Sequence, residues 1–84
     1  MSKWYIDKIK ANAPELLDGD KYDVWDWIDN AFAMYAEDED AVDAMDNATR
    51  EQEEYYGVKI ALMSRTQLLA TAAKIMDVLE GAKC

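Results

Sequence analysis

Apolar residues recur at three- and four-residue steps along most of the chain, and most of the runs open on a side chain able to cap a helix. The clearest run is DKYDVWDWIDNAFAMYAED, residues 20–38. Asp20 stands at its cap position. At 100° per residue Val24, Ile28, Ala31, Phe32 and Tyr35 gather on one side with Trp25 at the edge, while Asp23, Asp26, Asn30 and Glu37 gather on the other. Trp27 and Met34 flank the acidic stripe, so neither is required by the core.

The remaining runs are shorter or thinner. A first helix of about residues 3–11 places Tyr5, Ile6 and Ile9 on one face, with Ser2 as its cap. Asn12-Ala-Pro-Glu15 reads as a fresh start, with Asn12 capping, Pro14 in the first turn and Glu15 reaching back. Leu16 and Leu17 then plug into the core before Asp18-Gly19 breaks the turn. A further helix is predicted from about Asp40 to Tyr56, stopped by Gly57. Its inner side is Ala41, Val42, Met45, Ala48, Tyr55 and Tyr56, with Gln52 among them. Asp43, Asp46, Asn47, Glu53 and Glu54 take the outer side, where Asp46 and Arg50 form an i,i+4 pair. Ser64-Arg-Thr-Gln67 is a capping box opening a last helix to about Glu80, with Leu68, Leu69, Ala72, Ile75, Met76 and Leu79 inward and Gly81 ending it.

One segment reads two ways. Residues 58–63, VKIALM, form either a short strand, by alternation of Val58, Ile60 and Leu62, or a helical turn. A strand here has no mate within the chain and would pair with a partner or a second copy. The predicted fold is all-α: a small compact bundle of three main helices plus one or two short helical turns, in a single acidic domain spanning 1–84.

Charge sharpens this picture. Fifteen of the eighteen carboxylates lie between Glu15 and Glu54, opposed there only by Lys21 and Arg50, a formal −13 in a chain whose net charge is −9. The two ends are mildly basic. Such a field repels nucleic acid and anionic membrane and attracts basic surfaces, above all grooves that hold phosphates. Half the residues are apolar, with three Trp and five Tyr, which argues for a folded domain over an acidic tail.

The available chemistry is narrow. The chain has no His and a single Cys, Cys84, so the common zinc sites and nucleophile–base pairs are missing, and no glycine-rich loop cradles a phosphate. The carboxylates line exposed helix faces without an apolar pocket to raise a pKa, so catalysis is not expected and no cofactor is implied. EF-hand frames starting at Asp18 or Asp38 fail, the first placing Tyr22, Asp23 and Asp29 at positions 5, 6 and 12, the second Val42, Asp43 and Thr49; no metal site is expected. Cys84 cannot close an internal disulfide, the start MSKWYIDKIK is too polar for a secretion signal, and no apolar run approaches membrane-spanning length, so a cytoplasmic protein is expected.

Length, acidity and helical content resemble those of acyl carrier proteins. That family carries its prosthetic arm on an Asp-Ser-Leu serine, whereas Ser2 precedes Lys3 and Ser64 lies in Met-Ser-Arg, so the resemblance fails at its functional residue. In charge and size the chain is similar to small acidic phage-encoded inhibitors, including anti-CRISPR and antirestriction proteins. Carboxylates at three-residue steps along a helix are about 4.5 Å apart along its axis, against one charge per about 1.7 Å for duplex DNA. Acidic outer faces also serve solubility, but solubility does not require their segregation. The expectation is therefore a non-enzymatic inhibitor that occupies the basic groove of a nucleic-acid-handling protein, with Asp23, Asp26, Trp27, Asn30, Glu37, Asp43, Asp46 and Glu54 as the partner-binding residues. It would bind neither nucleic acid nor membrane directly. Two rival readings are a structural or assembly protein forming a homodimer through 58–63, and an antitoxin-like partner of one basic protein.

Overall fold

The last helix is the axis around which the rest of the chain is arranged. The structure, a computed structural model, describes residues 4–82, and the expectations for Ser2 and Cys84 lie outside them. In chain order the helices are α1 (Trp4–Asn12), α2 (Lys21–Met34), α3 (Glu39–Tyr56) and α4 (Arg65–Ala82), with 3₁₀ turns at Pro14–Leu17 and Ile60–Leu62. Among the described residues there is no strand.

Helices α1, α2 and α3 each pack on α4. All six residues predicted inward on α4 are buried, and so are Ala70, Thr71 and Ala73, which makes residues 68–73 buried right round the helix. A helix enclosed on all sides needs small side chains where its neighbours approach, and alanine supplies them at little helix-propensity cost. Thr71 is the one polar intruder. Its hydroxyl donates to the Gln67 carbonyl at 2.9 Å and lies 3.3 Å from Met63 Sδ.

Local caps fix most of the helix ends. Asp20 Oδ1 accepts from the N–H groups of Tyr22 and Asp23, while Asp23 Oδ2 accepts from the Asp20 N–H at 3.0 Å, a reciprocal box that starts α2. Asp38, two residues earlier than Asp40, starts α3 by accepting from the Ala41 N–H, and Gly57, at φ 70°, ends it in the left-handed region. Ser64 and Gln67 form the predicted box before α4, with contacts of 3.0 and 3.3 Å. The stop predicted at Gly81 is not used: α4 runs on to Ala82, and Gly57 is the only glycine with positive φ among the described residues. A glycine ends a helix only where the chain turns into that left-handed region; in a helical conformation it merely weakens the helix.

Other departures have equally local causes. Asn12 does not cap the Pro14–Leu17 turn; it closes α1, donating to the Lys8 carbonyl at 2.8 Å, and Ala13 takes the cap position without a side-chain bond. Residues Tyr55 and Tyr56 are 100° apart on the helix, so one alone can face α4. Tyr56, four residues after buried Gln52, is half-buried, and Tyr55, 77% exposed, meets it edge-on at a centroid distance of 4.9 Å. Arg50 donates to Asn47 Oδ1 at 3.2 Å in place of pairing with Asp46.

Glu53 belongs inside, not on the outer face. Its Oε2 accepts from the Ile60 N–H at 2.9 Å, its Oε1 lies 3.9 Å from Lys59 Nζ, and the side chain is 20% exposed. This carboxylate satisfies the first orphan N–H of the 60–62 turn, so the segment closes on α3 as a 3₁₀ turn and needs no strand partner. Val58 and Ile60 are half-buried but Leu62 is exposed, so the alternation was not a pleat.

Two long-range ties complete the frame. Arg65, at the start of α4, donates through Nε to the Gly19 carbonyl (2.8 Å) and through Nη2 to that of Leu17 (2.7 Å), with Leu16 more distant at 3.4 Å. Lys8 of α1 reaches Asp77 at 3.3 Å and Glu80 at 2.7 Å on α4.

Candidate functional site

The acidic faces follow from which side of α2 and α3 the core takes. Val24, Ile28 and Ala31 of α2 and Ala41, Met45, Ala48 and Gln52 of α3 turn to the interior, which leaves Asp26, Asn30, Asp43, Asp46 and Glu54 exposed on the opposite sides. Glu37 is exposed in the connection between the two helices, within a run of four acids, Glu37 to Asp40. Among the described residues none of Asp26, Glu37, Asp43, Asp46 and Glu54 forms an ion pair or side-chain hydrogen bond. The ion pairs seen among the described residues join Lys8 to Asp77 and Glu80, and Lys59 to Glu53. Among the described residues no cation pairs with these outer carboxylates.

The arrangement of these residues differs from a single plate. Helices α2 and α3 lie on α4 rather than on one another, so Asp26 and Asn30 form one flank, Asp43, Asp46 and Glu54 another, and the acidic connection carries the charge between them. Asp23 is exposed, but its carboxylate is already engaged at the α2 cap. A Cβ at Gly19 would fall 2.8 Å from Asp23 Cβ, so the glycine makes room for that cap. Trp27 is half-buried and packs against the core, with its outer edge lining a groove of about 300 Å³ alongside Asn30 and Met34. The far wall of that groove comes from α1 and α4, through Asn12, Met76, Leu79 and Glu80. Only the fold brings those residues to Trp27, since the helical pattern marks Met76 and Leu79 simply as inward.

Glu80 is the most strongly placed acid of this wall. The Lys8 ammonium hydrogen-bonded to it holds its carboxyl below the usual carboxylate range, with help from Asn12, and Lys8 is raised in turn, chiefly by that same bond to Glu80. Burial raises Tyr56. A second cleft, about 320 Å³, is lined by Tyr22, Trp25, Ala61, Met63 and Leu68 with Lys21 at its edge. It opens beside Leu62, which is 76% exposed.

Among the described residues no three acids or cysteines converge in an arrangement able to hold a metal ion, and no helix is long and apolar enough to cross a membrane. Comparison with protein families, curated proteins and solved structures returned no match.

Proposed function

We propose that this chain is a non-enzymatic acidic inhibitor that occupies the basic groove of a nucleic-acid-handling protein, a nucleic-acid mimic of the phage anti-defence type. The observation that carries this reading is the set of exposed carboxylates on α2, α3 and their connection with which no cation of the described residues pairs. A protein selecting acids for solubility alone gains nothing from confining them to one stretch and leaving it unpaired. A partner whose groove binds phosphates meets here a rigid helical surface of like charge. Association would be steered by the field and would weaken as salt rises.

The test is capture from a bacterial lysate at low and moderate salt, with the wild-type chain and an Asp26/Asp43/Asp46→Lys variant. Asp23 is left intact because its loss would also unseat the α2 cap. The wild type should retain a basic protein that duplex DNA displaces, and the reversal variant should lose it with its circular dichroism unchanged. Equal retention by both proteins would remove the acidic faces from the interaction.

A second reading rests on a different observation. Residues 55–76 contain no carboxylate, and the Tyr22/Trp25 cleft with exposed Leu62 lies along that stretch. An assembly protein would pair through this least-repelling side. Sedimentation of the wild type and Leu62→Glu separates the two: a dimer broken by the substitution supports assembly, and a monomer at all concentrations removes it.

A further inference from the structure

Arg65 holds the backbone on both sides of one dipeptide. Its Nη2 donates to the Leu17 carbonyl at 2.7 Å and its Nε to the Gly19 carbonyl at 2.8 Å, so the Asp18–Gly19 link is stapled between them. That link is the only Asp–Gly step in the chain, and there is no Asn–Gly step. Glycine has no Cβ to shield its N–H, so an Asp–Gly step is the least hindered place for a carboxyl side chain to meet the next backbone nitrogen. Asp18 is exposed, and among the described residues its carboxylate has no hydrogen-bond or ion-pair partner. The glycine is required where it stands, because a Cβ there would fall 2.8 Å from Asp23 Cβ at the α2 cap.

The chemistry open to this step needs only water. The Gly19 nitrogen attacks Cγ of the Asp18 carboxylic acid, an N–Cγ bond forms, and the acid hydroxyl leaves with the amide proton as water, closing a five-membered succinimide. Water then adds to either ring carbonyl. Cleavage of the N–Cγ bond restores aspartate. Cleavage between that nitrogen and the main-chain carbonyl carbon of Asp18 gives isoaspartate, whose chain runs through Cγ and whose α-carboxyl stands free. The fold opposes the first step. The ring is nearly planar, so the Gly19 nitrogen must turn beneath Asp18 Cβ, whereas ψ of −12° sets it close to eclipsing the nitrogen of Asp18 itself. Rotation to the ring geometry carries Gly19 with it and pulls its carbonyl from the guanidinium.

We propose that Asp18 is a site of spontaneous isomerisation to isoaspartate, and that the Arg65 guanidinium is the gate that slows it. The product undoes the gate. Its extra methylene in the chain path displaces the Gly19 carbonyl from Arg65 and shifts Asp20, one residue on, from the place in which it caps α2. The inference goes beyond the acidic-inhibitor reading and does not depend on it.

The experiment incubates the full chain, Arg65→Ala and Arg65→Lys in heavy-oxygen water, beside a free peptide of residues 11–21. Trypsin releases that same segment from the protein, between Lys10 and Lys21. Chromatography and fragment mass spectrometry separate its aspartate and isoaspartate forms and locate the heavy oxygen that each passage through the ring leaves at residue 18. The wild type should isomerise at least about tenfold more slowly than the peptide, the factor set by one hydrogen bond to a charged group. Arg65→Ala should react several-fold faster than wild type, and faster than the peptide rate multiplied by its unfolded fraction from urea curves. Arg65→Lys, which loses the fork but keeps the charge, should fall between and decides the matter if the alanine variant does not fold. Isoaspartate should lower the urea midpoint of the wild type and leave that of Arg65→Ala nearly unchanged. A wild type as fast as the peptide, variants no faster than wild type, or variant rates wholly accounted for by unfolded fraction overturn the gate. Absence of heavy oxygen from residue 18 in wild type and variants alike overturns the site.

Discussion

Replacing Arg65 tests whether the fold is locked at the start of α4. The guanidinium makes two short bonds, 2.8 Å to the Gly19 carbonyl and 2.7 Å to that of Leu17, and the 3.4 Å approach to Leu16 adds little. A hydrogen bond to a charged group contributes about 1.5–3 kcal/mol, and two give an upper figure of about 3–6 kcal/mol. Leu17 and Gly19 are only half-buried, so water recovers part of this when the donor goes. Arg65→Ala should therefore lose about 2–3 kcal/mol. For a core of this size, which supplies roughly 3–5 kcal/mol, that is about two fifths of the total or more. The Lys variant keeps the charge but not the fork, and should retain about half of the contribution. Urea unfolding followed by circular dichroism at low temperature and fixed salt measures the loss, with an unchanged slope as the sign that the unfolded state is unaltered. A loss under about 0.5 kcal/mol for Arg65→Ala would refute the lock, because it would mean solvent serves those carbonyls equally well.

Screening of the unpaired carboxylates should raise the melting temperature by several degrees between about 10 and 300 mM monovalent salt; a flat or falling profile would show that the acids do not repel one another in the folded state. Leu68→Ala, at a buried position of α4, should cost about 2–5 kcal/mol in urea unfolding, and a change well below 1 kcal/mol would place that side chain outside the core. The Lys8–Glu80 tie has a pH signature, read as the stability difference between wild type and Lys8→Met. Lys8 is raised in the folded state, so its contribution is complete below the ordinary lysine pKa of about 10.4 and is lost as pH climbs through the raised value; Glu80 is lowered, so its contribution is complete above about pH 4.3 and is lost as pH falls through the depressed value. The difference should be flat between these limits and shrink beyond both. A difference that does not change with pH would remove this ion pair from the stability of the fold.

The sequence by itself determined the features that rest on neighbours three or four residues apart. Asp20 as a cap, the Ser64–Gln67 box, the Gly57 stop and the inward faces of α2 and α4 all depend on local geometry, and all appear as read. Exposure of Asp26, Asp43, Asp46 and Glu54 was legible for the same reason: helical spacing sets them opposite the apolar side. The engagement of Asp23 was legible too, since an acid three residues after the Asp20 cap is placed to close a box. Tertiary structure alone decided the rest. Arg65 meets carbonyls 46 to 49 residues away, Lys8 meets Glu80 across 72, and no periodicity records either. Residues 58–63 became a turn because Glu53, from another element, supplied an acceptor for the Ile60 N–H. Ala70, Thr71 and Ala73 are buried because three helices enclose α4, a fact about its neighbours that the composition of α4 only permits. The groove beside Trp27 belongs to the same class. Its walls come from α1, α2 and α4, which only the packing brings together.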